Sequence, residues 1–134
     1  MKSLLIAAAI ALAAAAFPRS AEIISRPVQF KRGTNAVTLV SSLKDGQAID
    51  YKVRARAGQT LGVRLRSRHQ GVNFNILPPA ADSVAIFTGS SAGRAWSGSV
   101  PADGIYTVRT YRIDGAARRA ELAGFSLTIE RSGR

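Results

Sequence analysis

The sequence predicts an all-β protein, an antiparallel β-sandwich of about eight short strands. The first observation behind this prediction is that apolar and polar side chains alternate along several short segments. The alternation is clearest over residues 37–41, 49–56, 61–66, 106–110 and 125–130. A period of two places one face of a strand against a core and the other face in water.

The second observation is that turn-forming residues separate these segments at regular intervals. The turn signals are Lys44-Asp45-Gly46, Ala57-Gly58-Gln59, Pro78-Pro79, Gly89-Ser90-Ser91, Ala102-Asp103-Gly104 and Asp114-Gly115. The alternation then predicts which side chains point inward. They are Val37, Leu39, Tyr51, Val53, Leu61, Val63, Leu65, Phe74, Ile76, Ile86, Trp96, Tyr106, Val108, Phe125, Leu127 and Ile129.

The N-terminus has the pattern of a secretory signal peptide. Lys2 supplies a positive charge, and residues 3–16 are almost wholly apolar, which is shorter than the ~20 residues of a membrane span. We therefore expect residues 1–16 to be a signal peptide, 17–26 a flexible lead-in and 27–134 a single β-sandwich domain. The expected location is the periplasm, as an exported soluble protein without a membrane anchor.

Composition limits the chemistry of the domain. The chain has no cysteine and one histidine, His69, so neither a thiolate nor a multi-histidine metal site is expected. We predict no metal and no cofactor. The net charge is +11, and it falls to +10 without Lys2. Arginine predominates among the basic residues, and it pairs well with carboxylates and phosphates, so the excess charge indicates an acidic partner or a solubilising surface.

A basic stripe is predicted on the water-facing side of two strands that we expect to be neighbours. Its members are Lys52, Arg54, Arg56, Arg64 and Arg66. The alternative is an ordinary solvated sheet face. Since no aromatic residue is interleaved between positions 52 and 68, a nucleic-acid partner is not expected.

The sequence holds no recognisable catalytic motif, and we predict that the protein is not an enzyme. His69 lies where a strand end turns into a loop, and a lone loop histidine is usually just exposed. Two other segments are better candidates for function. Residues 101–109 run from a turn into a strand, and residues 112–121 form a long, arginine-rich connection of the kind that carries recognition residues or is simply solvated.

Several short motifs occur in order along almost the whole domain. They are Lys31-Arg32-Gly33, Ile49-Asp50-Tyr51, Ala57-Gly58-Gln59, Trp96-Ser97-Gly98, the run from Pro101 to Arg109, and Ala117-Arg118-Arg119. In this combination the chain resembles the periplasmic inhibitors of g-type (goose-type) lysozyme. Part of the pattern is also similar to the pre-peptidase C-terminal sandwich domains of secreted bacterial enzymes.

The resemblance implies a function and a set of contact residues. The implied function is to block a muramidase by inserting Arg- and Tyr-bearing loops into its substrate cleft, and the implied partner is g-type lysozyme. The lysozyme-binding residues would be Tyr51, Tyr106, Arg109, Arg118 and Arg119. We hypothesise that Arg118 reaches the catalytic acid of the enzyme. At position 103 the chain has Asp where related lysozyme inhibitors often have Ser, which puts a hydroxyl contact there in doubt.

Two binding functions remain as alternatives to inhibition. One is a non-catalytic, pre-peptidase-like domain that binds carbohydrate or protein. The other is a binder of an anionic cell-envelope polymer, which would show steep salt dependence. For each of these functions we expect a monomer or a weak dimer.

Overall fold

The computed structural model describes residues 22–80, 85–89, 94–113 and 121–133, which form a sandwich of two β-sheets. The described residues contain nine strands, one more than the approximate number expected. The strands are β1 Glu22–Pro27, β2 Ala36–Leu43, β3 Gln47–Ala55, β4 Thr60–Arg66, β5 Val72–Leu77, β6 Phe87–Thr88, β7 Ala95–Ser99, β8 Gly104–Arg112 and β9 Ala123–Ser132. The predicted signal peptide and residues 17–21 lie outside the described residues.

The strands divide between a five-stranded sheet, in the order β1-β3-β8-β5-β6, and a four-stranded sheet, in the order β2-β9-β4-β7. Neighbouring strands pair antiparallel, except that β1 lies parallel to β3. The predicted all-β sandwich is thus confirmed. No helix within the described ranges has the length and hydropathy needed to cross a membrane.

The core lies between the two sheets and matches most of the prediction. Val37, Leu39 and Trp96 are half-buried at its margin. Ile86 was predicted to point inward but is 38% exposed, because its neighbour Phe87 takes the inward position and stacks on Phe74, with 5.0 Å between the ring centroids. Several buried residues were absent from the predicted set: Leu43, Ala48, Ile49, Ala55, Val72, Phe87, Val100 and Ala123.

The expected flexible lead-in differs from the structure over residues 22–26. These residues belong to β1, which pairs along its whole length with β3, from Glu22 opposite Gln47 to Pro27 opposite Lys52. Ile24 packs against the core. The segment shows no regular alternation in burial, since it is an edge strand held mainly by its pairing with β3.

The predicted basic stripe is not one surface, because β3 and β4 are not neighbours. The chain crosses from one sheet to the other in the turn between them. Lys52 and Arg54 therefore lie on the outer face of the five-stranded sheet. Arg64 and Arg66 lie on the outer face of the four-stranded sheet, on the opposite side of the sandwich.

Candidate functional site

An ion pair between Arg109 and Asp50 lies on the outer face of the five-stranded sheet. The two residues stand directly opposite each other on β8 and β3. Arg109 Nε donates to Asp50 Oδ1 at 2.7 Å, and Nη2 donates to Oδ2 at 2.9 Å. This two-point geometry fixes the plane of the guanidinium as well as its position.

The two partners differ in exposure. The side chain of Arg109 is 38% exposed and that of Asp50 is 6% exposed. Hydrogen bonding to Asp50 raises the pKa of Arg109; partial burial opposes this effect, and the charge of Asp50 adds to it. Within the described residues, Nη1 of Arg109 has no protein acceptor, so this edge of the fork can bind a partner's oxygen while Asp50 holds the other edge.

A groove of ≈ 540 Å³ runs beside Arg109 on the same face. Its wall includes Leu77 and Ile105, and its polar lining includes Lys52, whose Nζ donates to Thr107 Oγ1 at 2.9 Å. Ile105 is 43% exposed. The groove therefore offers an apolar wall next to two cations, which is a surface that a protein segment can contact.

Tyr51, a predicted contact residue, lies on the inner face of β3 and is 3% exposed. Burial raises the pKa of its phenol, an effect that the charge of Arg26 and a hydrogen bond with Ser41 partly offset. The ring presents almost no surface in the free protein. Its contact with lysozyme remains a prediction, whereas its place next to Asp50 in β3 is a structural fact.

Tyr106 is also a core residue, with no exposed surface. Its hydroxyl donates to the carbonyl of Ala102 at 2.6 Å and accepts from the N–H of Ala102 at 3.2 Å. Such a bond back to the preceding turn is the tyrosine corner of β-sandwiches. In the same turn, Asp103 Oδ1 accepts from the N–H of Ala57 at 2.7 Å, which gives this acid a structural role. Contact of Tyr106 with a partner stays a prediction.

Arg118 and Arg119, the remaining predicted contacts, lie outside the described residues, but the ends of their connection are described. Arg112, at the end of β8, is buried. Its Nη1 donates to the carbonyls of Leu43 and Glu121, which join β8 to the end of β2 and to the start of the segment that leads into β9. Both ends of the connection are thereby attached to the sandwich.

Asp50 and Arg112 also shape this site, although neither was among the predicted contact residues. Asp50 belonged to a recognised motif, but only the register of β3 and β8 shows that it faces Arg109. The inward position of Arg112 could have been predicted from the sequence, because Arg112 continues the every-second-residue series of Tyr106, Val108 and Thr110. A charged residue at such a position indicates a side chain that bonds buried carbonyls.

The structure is thus a two-sheet sandwich with a restrained surface arginine, Arg109, and with both described ends of the β8–β9 connection bonded to the sheets. No protein-family profile matches the chain, and neither does any curated protein. Among solved structures, the chain is similar to a periplasmic inhibitor of g-type lysozyme, PliG, from Aeromonas hydrophila. The sequences are 32% identical, the match covers 83% of this chain and 98% of the other, and the TM-score is 0.74. The chain belongs to this family of inhibitors.

Two further structures share the fold. PliG from Salmonella Typhimurium, also a periplasmic inhibitor of g-type lysozyme, is 22% identical, with 81% of this chain and 98% of the other covered and a TM-score of 0.63. The pre-peptidase C-terminal domain of a Bacillus anthracis collagenase is 14% identical, with 85% and 100% covered and a TM-score of 0.57. The solved structures thus include both groups that the motifs resemble, the g-type lysozyme inhibitors and the pre-peptidase C-terminal domains. Since the family is one of inhibitors, the prediction of a non-enzymatic protein is also confirmed.

Proposed function

We propose that this protein is a periplasmic inhibitor of g-type lysozyme that protects peptidoglycan. One observation carries the proposal: the Aeromonas hydrophila inhibitor matches this chain over 98% of its own length at 32% identity. The predicted signal peptide supports the same location, because a lysozyme inhibitor is useful where lysozyme meets peptidoglycan.

The proposed contact is made by arginines presented from a rigid sandwich. Arg118 and Arg119, on the β8–β9 connection, enter the substrate cleft, and Arg118 pairs with the catalytic carboxylic acid. Arginine suits this task because its planar fork binds a carboxylate at two points, and such a pair gains strength where water is excluded. Buried arginine anchors are frequent among the residues that dominate interface energies.

Arg109 contributes a second contact through its unpaired Nη1. Asp50 holds its guanidinium in place before binding, so little side-chain freedom is lost when the complex forms. We assign Tyr51 and Tyr106 to the support of this surface. Tyr51 lies beside Asp50 on β3, and Tyr106 lies three residues before Arg109 on β8, so both affect the contact through the strands that carry the ion pair.

The test is inhibition of a g-type lysozyme by single variants. Arg118→Ala is expected to weaken inhibition about tenfold or more, as truncation of a central interface arginine does. Arg56→Ala is the matched control, since Arg56 is exposed in the turn that precedes β4, beside the start of β8 and far from its end. Equal inhibition constants for the two variants would refute the role of Arg118.

The alternative, a pre-peptidase-like binding domain, predicts a different outcome in the same assay. Such a domain binds cell-wall material or protein without slowing lysis. A wild-type protein that leaves the rate of lysis unchanged, yet sediments with purified cell walls, would favour that function over inhibition.

A further inference from the structure

The loop between β4 and β5, residues 67–71, is held rigidly at one end of the sandwich. Arg94 donates from Nη1 to the carbonyl of Ser67 at 3.0 Å and from Nη2 to the carbonyl of His69 at 2.7 Å. Ser67 Oγ in turn accepts from the N–H of His69 at 3.0 Å. A loop bonded in this way to Arg94 and within itself is ordered before any partner arrives, which lowers the entropy cost of binding.

The same loop touches both ends of the β8–β9 connection. The N–H of Ile113, where the connection leaves β8, donates to the carbonyl of Gly71 at 2.7 Å. Ser67 Oγ donates to the carbonyl of Gly124, near the start of β9, at 2.7 Å. The 67–71 loop therefore lies against both described flanks of that connection.

A hollow of ≈ 590 Å³ opens beside this loop on the outer face of the four-stranded sheet. Gly124 and Ser126 leave room in it, and Val40 is 79% exposed at its edge, more than any other large hydrophobic side chain among the described residues. An aliphatic side chain so exposed on a sheet can gain stability by being covered.

The charges around the hollow are of one sign. Arg66 and Arg68 are exposed and line it, and no acidic residue does. Neither guanidinium has an ion-pair partner in the described part of the chain. Their fields are therefore uncompensated there, and an incoming carboxylate is the complementary group.

We propose that residues 66–69 and the hollow form a second contact surface for the bound lysozyme, on the opposite outer face from Arg109, and that it takes an acidic surface segment of the enzyme. That segment presents a carboxylate to Arg66 and Arg68 and an aliphatic side chain to Val40. The inference rests on the proposed function, because the lysozyme held by the neighbouring connection is the occupant. The second surface adds affinity and selects among g-type lysozymes by the charge of that segment.

The experiment compares dissociation constants for one g-type lysozyme by calorimetry or surface binding. The Arg66→Ala/Arg68→Ala variant is expected to bind about tenfold more weakly than wild type, and Arg56→Ala within about twofold. Val40→Asp, which places a carboxylate beside Arg66 and Arg68 without removing an arginine, is expected to weaken binding by a similar factor. All the substituted side chains are exposed, so thermal unfolding should show that each variant keeps the wild-type fold.

Three results would overturn the inference in distinguishable ways. If wild type binds and Arg118→Ala weakens binding, but the double variant behaves like Arg56→Ala, the second surface is refuted and the proposed function stands. If wild type does not bind g-type lysozyme at all, the proposed function fails and the inference fails with it. Loss of binding only to vesicles that contain lipopolysaccharide, with lysozyme affinity unchanged, would assign the arginines to a phosphate-bearing glycan and also refute the inference.

Discussion

Tyr106 shows how one hydroxyl ties a turn to the core. Its ring is fully buried, and its hydroxyl satisfies both backbone groups of Ala102. Tyr106→Phe keeps the ring but removes both bonds to the exposed Ala102, so we expect it to lower the free energy of unfolding by about 0.5–1.5 kcal/mol. Urea unfolding monitored by fluorescence measures this change. Unfolding midpoints that coincide with wild type would show that the corner contributes nothing.

Because the phenol of Tyr51 is buried, we expect the free energy of unfolding to depend on pH in the alkaline range. Burial raises its pKa in the folded protein above the ordinary value of 10.0, so the unfolded chain loses this proton first as the pH rises. The stability that Tyr51 contributes is therefore complete below about pH 10 and is lost as the pH rises through the folded-state pKa.

The matching variant is Tyr51→Phe, which has no phenol to ionise. The difference in unfolding free energy between wild type and Tyr51→Phe should be constant from pH 7 to 9 and should then shift against wild type at higher pH. Using the difference removes the contribution of lysine titration in the same range. A difference that stays constant to pH 11 would contradict the assignment.

At the scale of single strands, β1 is the element that the sequence pattern missed. It lies along β3 and covers part of the core with Ile24. A chain that begins at Val28 should be less stable than one that begins at Glu22 by at least about 1 kcal/mol, since it loses a buried aliphatic side chain and a strand pairing. Equal urea midpoints for the two chains would mean that the segment behaves as a flexible lead-in.

The sequence predicted strands correctly where apolar and polar residues alternate regularly. It did not predict features that depend on which strands pair with each other. β4 and β9 alternate regularly, so their inward residues, such as Leu61 and Leu127, could be predicted. β1 could not be predicted, because its place depends on an edge of β3 that only the folded sheet creates. The separation of Arg54 from Arg64 was missed for a similar reason: successive strands usually pair, but here the chain changes sheet between them.

In the candidate site, too, some features could be predicted from sequence motifs and others depend on strand pairing. Arg109 could be recognised from its motif, whereas its restraint by Asp50 follows from cross-strand register and not from proximity in sequence. The two tyrosines were recognised as motif residues and as core residues, and the structure shows the core position for both. Contact of either tyrosine with a partner stays a prediction.

For the whole molecule, charge and shape together set the conditions for binding. The chain carries +11 overall, and many lysozymes are themselves basic, so long-range attraction cannot be assumed to bring the two together. Under the proposed function, recognition depends on local complementarity between arginines held on a rigid sandwich and carboxylates of the enzyme. This account predicts selectivity for one class of lysozyme rather than general binding to cationic or anionic surfaces.

The most direct test is the rate at which lysozymes clear a turbid suspension of bacterial cell walls, with and without the purified protein. The assay uses g-type, c-type and i-type enzymes at matched activity. We predict that the protein stops clearing by the g-type enzyme at near-stoichiometric amounts and leaves the c-type and i-type enzymes active. Unchanged clearing by the g-type enzyme, or equal slowing of all three, would contradict the account.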